Sequence, residues 1–482
     1  MSSDLCVLCQ PSFRILSKEA KEEIHLAACE VLRRTGVLIH DAETIEMMAA
    51  AGCFVRNGNL VYIPTWLVEE SVRLAPRSIH IANRRGEIAM RLEGRKSYWG
   101  TGSDTPFILD SRSSSRRKTN LDDIAQVSVL VDALEHLDFH MCMGVAHELP
   151  QSMADKHHFL AMVSNTIKPL VFTASSVRNL EDIYRMACLI AGGEEKLKEN
   201  PFIIHYAEPI APLIHPRESL QKLLFCVDHR IPVVYTSGTT TMQNGPATLA
   251  GSLVLSVARG LSGIVIAQLR RKGAEIILTF HASSMDPRSS IHTYASPEHI
   301  LCQAAGRDMA ELYGIPHWGR AGCSDAKVVD QQAAFEAGVE IMMQAVGGEN
   351  LIHDVGYIES GLTSSWDSIV ICNELIGMAK RVLKGFEISP ETLALDIIHQ
   401  VGPSGHFLME DHTFSHYREE TFLPRLIDRE LFDRWKQLGG TTLLDRARQS
   451  VFEILESHRP EPLDEKILAH LKELADKKHR IQ

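Results

Sequence analysis

The residues best able to do chemistry in this chain of 482 residues gather at the ends of short apolar runs. SYWGTGSDTP carries Tyr98, Trp99 and Asp104; FIIHYAE carries Tyr206 and Glu208; and PVVYTSG carries Tyr235 and Ser237. EIILTFHAS ends in Phe280 and His281, PHWGRAG holds Trp318 and Arg320, and NLIHDVGY holds His353, Asp354 and Tyr357. Aromatics are only 6% of the chain, so their recurrence at these ends is a pattern worth explaining. Several ring faces around one opening suit a cation with no hydrogen to donate, each face contributing ~0.5–2 kcal/mol. The same rings also suit ordinary core filling. Spacing alone leaves both readings open.

His353 and Asp354 are the catalytic candidates. In a regular strand, alternation sends His353, Val355 and Tyr357 to one face and Asp354 and Gly356 to the other, so only one of the pair is expected to line an opening. Asp104, Glu208 and His353 would also serve as acid and base groups in a hydrolase or lyase. No metal site is expected: Cys6-x-x-Cys9 has no second pair to complete a tetrahedron, and His157 and His158 are adjacent and point differently on a helix. GxSxG, Walker and HExxH patterns are absent from the sequence.

The elements that must hold these residues follow a rhythm. Eight apolar runs start at Ser97, Leu137, Pro169, Phe202, Pro232, Glu275, Pro316 and Asn350. Stretches with helical spacing separate them, including 180–191, 217–229, 247–271, 297–313 and 331–346, with 366–383 after the last. Eight strand–helix units are what a parallel (β/α)8 barrel needs, and such a barrel places reacting groups at strand C-terminal ends. The expected class is therefore α/β, a (β/α)8 TIM barrel over 95–384. A mixed α+β lobe occupies 1–94, where Ser17 caps a helix over Ser17–Thr35. A helical cap covers 385–482, with Ser389-Pro390-Glu391 opening a helix that Gly402–Gly405 breaks and a charged amphipathic helix over Leu463–Lys478. The Ser/Arg stretch Asp110–Lys118 reads as a mobile solvated loop.

Composition narrows the class. With 61 acidic and 50 basic side chains, a formal charge of −11, the chain lacks the basic footprint of a nucleic-acid binder. The start, MSSDLCVLCQPSF, has no secretory pattern, and Leu249–Ile266 is interrupted by Ser252, Ser256, Arg259 and Ser262, so no membrane association is expected. Ten scattered cysteines read as reduced thiols of a cytoplasmic protein.

Two long stretches carry a resemblance: LIHDVGYIESGLTSSWDSIVICNELIGMAKRVLKG and ETLALDIIHQVGPSGHFLMEDHTFSHYREETFLPRLIDRELFDRWKQLGG. Together with GRAGCSDAKVVDQQAAFE and SYWGTGSDTP, they resemble the trimethylamine methyltransferase family, the MttB-like corrinoid-dependent methyltransferases, over almost the whole chain. The resemblance implies a barrel that passes a methyl group from an amine to the cobalt of a separate corrinoid (cobalamin) protein, with no cofactor tightly bound to this chain. Members acting on trimethylamine contain pyrrolysine, whereas every residue here is standard, which implies the branch acting on quaternary amines such as glycine betaine.

On that reading Tyr98, Phe280, Trp318 and Tyr357 box the ammonium, and Trp99, Tyr206 and Glu208 contribute to the binding site. Arg320 or a histidine such as His281 meets the substrate carboxylate. The C-terminal cap and the loops after the first and sixth runs are the candidate docking surfaces for the corrinoid protein. A homo-oligomer is expected, with Ile341–Val346 and Ile371–Leu383 as possible packing faces. A hydrolase or lyase and a betaine-binding protein without catalysis are the competing classes.

Overall fold

Each of the eight apolar runs contains a short buried strand, as expected of segments rich in β-branched and aromatic residues. In the computed structural model, which describes residues 6–236 and 238–477, these are β1 Tyr98–Trp99, β2 His140–Met141, β3 Leu170–Phe172, β4 Ile203–Ala207, β5 Val233–Tyr235, β6 Ile276–Ile277, β7 Trp318–Arg320 and β8 Leu351–His353. Ser237, Lys478 and the opening MSSDL lie outside the described residues. Ladders join β2 through β6 in chain order, and β7 to β8 to β1. Single parallel bridges, Gly100 with Phe139 and Leu278 with His317, link β1 to β2 and β6 to β7.

A helix follows every strand: α1 Leu121–Ala133, α2 Gln151–Asn165, α3 Val177–Ala191, α4 Arg217–Asp228, α5 Leu249–Arg270, α6 Pro297–Tyr313, α7 Gln331–Gly347 and α8 Trp366–Lys384. Local chemistry sets their ends. Asn120 and Asp123 form a reciprocal capping box on α1, Ser296 caps α6 ahead of Pro297, and Ser365 caps α8. α6 stops at Gly314, which takes the left-handed conformation (φ 67°) that favours glycine. α5 is long and apolar enough to cross a membrane, but it is mostly buried, as a core helix of the fold is.

The parallel strands bury Phe139, Met141, Val171, Ile204, Val234, Ile277, Trp318 and Leu351 in one inner cluster. One end of that cluster is sealed by the antiparallel pair Ile79–Ala82 and Ile88–Leu92, which contributes Ile79, Ile81, Met90 and Leu92. The remaining lobe strands, Val37–Ile39, Phe54–Arg56 and Leu60–Tyr62, form a sheet that Ile214–His215 joins from beyond β4. The first lobe helix runs Lys18–Glu30, with Ser17 Oγ accepting from Ala20 N, and widens into a π-helical turn over Val31–Thr35.

Two expectations are corrected. The Ser/Arg stretch closes a hairpin, Phe107–Leu109 with Arg116–Lys118, and Arg117 grips both Asp110 and Asp123 while Arg116 holds Glu359. Two of its four basic side chains, Arg116 and Arg117, are held by specific carboxylates, so it is a tied element instead of a free loop. After α8 the chain first forms a strand, Phe386–Ile388, paired with Val7–Cys9, and no helix opens at Ser389. Ser389 and Thr392 cap each other in a turn, and the helix starts at Leu395, after Ala394 has taken a left-handed conformation. The last helices, Leu443–Ser457 and Glu465–Asp476, pack along α8 and α1, and along α2 and α3, on the outside of the strands.

Candidate active site

Register decides which strand-end residues meet. Arg320 pairs directly with His353 across β7 and β8, and His281 stands three residues beyond the Leu278–His317 bridge, as Arg320 does. His281, Arg320 and His353 therefore sit at one level on adjacent strands, two residues above Trp318 and Leu351. On β4, Tyr206 belongs to the inner cluster, and Glu208 lies two residues further along the same face. Tyr206 donates a 2.6 Å hydrogen bond from its hydroxyl to Glu208 Oε1.

The rings pack on one another: Trp318 and Tyr357 are almost fully buried, and Tyr206 and Tyr294 half-buried. His353 stacks on Trp318 with centroids 4.4 Å apart, and Trp318 lies 5.7 Å from Tyr206. Tyr357 donates its hydroxyl proton to Ser103 O and stands 6.3 Å from Tyr294. Arg320 lays its guanidinium 3.9 Å above the Tyr294 ring, donates to Thr293 O and Tyr294 O, and lies 3.2 Å from His292 Nε2. Most of its donors are thus spent on the loop 292–294, which it pins over the mouth, while Nε has no partner. His281 Nδ1 is also buried without a partner.

Asp354 breaks the strand. Its φ of 70° is left-handed, so strict alternation ends at His353, and both side chains turn to the same place, with His353 Nδ1 2.6 Å from Asp354 Oδ1. The contact is close but poorly aligned for a hydrogen bond. The alternation expected of a regular strand does not separate the two side chains here, because it holds only for extended backbone. Gly102 makes room for the turn, because a Cβ there would overlap Asp354 Oδ1 and the Tyr357 ring.

Three carboxylates share the mouth region: Asp104, Glu208 and Asp354. Asp104 and Glu208 are open to water yet sit in a concavity enclosed by protein, where the charged form is poorly solvated. Desolvation, with Asp155 and Glu208 adding repulsion against a Ser103 hydrogen bond, pushes the Asp104 carboxyl up to about 6. Desolvation also raises Glu208, against the pull of Tyr206, His353, Arg259 and Lys222. His281 is held well below the usual histidine range by burial and by Arg320, so it is neutral. A cleft of about 470 Å³ beside the mouth shares Asp104 and Thr173 and continues past Asp155 and His158.

Some predicted site residues lie elsewhere. Tyr98 pairs with Leu351, below the level of His353, and its hydroxyl accepts from Arg91 N of the sealing hairpin, so it faces the far end of the strands. Trp99 is fully buried with Val127, Leu130 and Ile352 between strands and helices. Phe280 packs outward, against Gly260 of α5 and the Tyr313 ring 5.5 Å away. His317, one position before Trp318, is likewise outside, its Nε2 accepting from Phe280 N and its Nδ1 2.5 Å from Glu349. Tyr235 is fixed by His215, 2.8 Å from its hydroxyl. Sequence reasoning missed Tyr294 and His292, which stand on an irregular loop with no period to mark them. The signal available was only an aromatic two residues before the Ser296 cap.

Among the described residues no group of three or more His, Cys, Asp or Glu side chains is arranged to hold a metal ion. All ten cysteines are free thiols.

The chain is 31% identical over 461 residues to the trimethylamine methyltransferase MttB of Desulfitobacterium hafniense, covering 95% of this chain and 93% of that one. It is 29% identical over 466 residues to a glycine betaine methyltransferase of another strain of that species, covering 96% of each. In fold it is similar to the crystal structure of the monomethylamine methyltransferase MtmB of Methanosarcina barkeri, with a TM-score of 0.56 at 11% identity, over 92% of this chain and 89% of that one. The family model for trimethylamine methyltransferase (MTTB) matches residues 3–481, and the chain belongs to that family.

Proposed function

We propose that this protein is a methyltransferase that moves a methyl group from a quaternary amine, glycine betaine or a similar betaine, to the Co(I) corrinoid of a partner protein. The eight parallel strands, each followed by a helix, are read as a (β/α)8 barrel whose C-terminal mouth is the site. The observation that carries the reading is the aromatic cluster at the strand ends: Tyr206 and Tyr294 are half-buried there against Trp318 and Tyr357, which are almost fully enclosed, and Asp104, Glu208 and Asp354 stand in the same region. A permanently charged nitrogen has no proton to give and gains from both. The names of the relatives, one acting on trimethylamine and one on glycine betaine, bracket the same chemistry.

The reaction balances without activation of the nitrogen. The corrinoid, brought as a second substrate, supplies the nucleophile. The carbon–nitrogen bond breaks, the nitrogen keeps the electron pair and leaves as a neutral tertiary amine, and the methyl carbon bonds to cobalt, which is formally oxidised to Co(III). The chain's part is to orient the methyl outward and to exclude water from it. We assign the substrate carboxylate to His281 Nδ1 and Arg320 Nε, two buried donors without partners that substrate entry has to uncover. Free thiols accord with a cytoplasmic setting, where a strongly reducing Co(I) donor can persist.

A second reading has its own observation: Asp104 and Glu208, both with raised proton affinity in one mouth, would suit an acid–base lyase or hydrolase. Absorbance of Co(I) cobalamin during incubation with a panel of amines separates the classes. Loss of the Co(I) band with betaines and not with trimethylamine is expected, and Trp318→Ala should slow it. Substrate turnover without cobalamin would establish the lyase or hydrolase instead, and binding without turnover a betaine-binding protein.

A further inference from the structure

One face of α2 lines the cleft beside the mouth. Gln151, Ala154, Asp155 and His158 follow the i, i+3, i+4, i+7 spacing of a single helix face, and they meet Asp104 from beyond β1, the segment after β2 and residues 173–175 after β3. Its polar groups have fixed roles. His158 is almost wholly buried and its Nε2 accepts from Ala146 N, so the proton of the neutral ring sits on Nδ1. Burial holds that ring down to about 4, which keeps it neutral. Nδ1 has no hydrogen-bond partner among the described residues, which leaves one N–H donor for the cleft. Asp155 supplies the opposite role. Its Oδ2 accepts from Ser175 N, Ser175 Oγ and Asn179 Nδ2, and its Oδ1 is left as an acceptor. Thr173 Oγ1 lies 3.5 Å from Asp104 Oδ1, a long contact that leaves both groups with bonding capacity. Among the described residues no Lys or Arg lines the cleft.

We propose that this cleft is a carboxamide site, and that the carboxamides it takes are those on the rim of the corrin ring. The inference rests on the corrinoid reading above. A primary carboxamide donates and accepts from one planar group, and these are the two roles that Asp155 Oδ1 and His158 Nδ1 leave open. A carboxylate would meet Asp104 and Asp155 as like charges. A cation would face the His158 N–H, which cannot turn away because Ala146 N already occupies Nε2. A corrin ring carries several primary carboxamides on its edge and a betaine carries none, so the chemistry selects the second substrate over the first. The cleft, about 470 Å³, lies in the range of small-molecule sites, ~300–1,000 Å³. It adjoins the mouth through Asp104, within reach of a macrocycle set over the transferred methyl.

Absorbance titration of the full-length protein with cobinamide, an amide-rimmed corrin without its nucleotide, tests the assignment. Calorimetric titration with glycine betaine checks that the mouth is intact. Asp155→Asn keeps an oxygen for Ser175 and Asn179 and turns an amino group into the cleft where an acceptor stood. It should weaken cobinamide binding about tenfold, as loss of a hydrogen bond to a charged group does, while betaine affinity holds within about twofold. Thr173→Val touches none of the Asp155 bonds and should weaken cobinamide about threefold. Equal cobinamide affinity in wild type and both variants overturns the cleft assignment and leaves the methyl-transfer reading standing. If Asp155→Asn weakens tetramethylammonium as much as cobinamide, the cleft is a cation site and the assignment is likewise overturned. A wild type that binds glycine betaine but no cobinamide up to about 1 mM overturns the assignment together with the corrinoid reading.

Discussion

The two ends of the parallel core are built from the same strands and differ in almost every physical respect. At the N-terminal end the strands are closed by an antiparallel pair that contributes Ile79, Ile81, Met90 and Leu92 and carries a register shift between Ile81 and Ala82. At the C-terminal end, beyond Tyr206, Trp318 and Leu351, the side chains are Glu208, His281, Arg320 and His353, with broken backbone at Asp104 and Asp354 and donors left without partners. The closed end gains from burial and the open end gives up that gain, holding poorly solvated carboxylates close together. On the proposed reading, stability and chemistry are separated along one axis, with Trp318 at the boundary.

That separation can be broken at either end. Gly102→Val should have the largest effect, since its side chain would displace Asp354 and Tyr357: turnover falls at least ~100-fold, as misplacement of a reacting group by about 1 Å does. Overpacking at this buried position should also lower the melting transition by a few degrees, as read by circular dichroism, so the folded fraction is checked before turnover is compared. Met90→Ala should do the reverse, lowering stability by about 2–3 kcal/mol in urea unfolding through loss of fully buried volume while kcat/KM stays within about twofold.

Asp104→Asn sharpens the contrast with a smaller effect. A carboxyl whose proton affinity is raised to about 6 in the fold contributes stability below its unfolded value near pH 4 and loses it as pH rises through 6. Replacement by Asn should therefore leave stability at pH 4 unchanged and raise it at pH 7.5, by about 1 kcal/mol once solvent screening is allowed for. The same variant should weaken binding of a quaternary ammonium at pH 7.5, measured by calorimetry. Stability gained and affinity lost by one substitution is the signature expected of a site group.

The strands were the legible part of the fold, because a strand buried on both faces leaves a continuous apolar run, and each of the eight observed strands falls inside one such run. Direction was less legible. Trp318 and Phe280 look alike in sequence, yet one points between the strands and the other toward α5, and only the neighbouring register separates them. Tyr98 faces the right interior at the wrong end. The His353–Asp354 pair was misjudged because its geometry depends on a left-handed residue that no alternation rule anticipates. Tyr294 and the hold of Arg320 on its loop are contacts between segments 26 residues apart, invisible to any local period.

Calorimetric comparison of glycine betaine with its uncharged-head isostere, in which carbon replaces the quaternary nitrogen and the carboxylate is kept, tests the central claim most directly. A mouth built of ring faces and carboxylates for a fixed positive charge should bind the betaine at least about tenfold more tightly, ~1.4 kcal/mol, and Trp318→Ala should narrow the gap. Equal affinity for the two, or tighter binding of the carbon analogue, would contradict it.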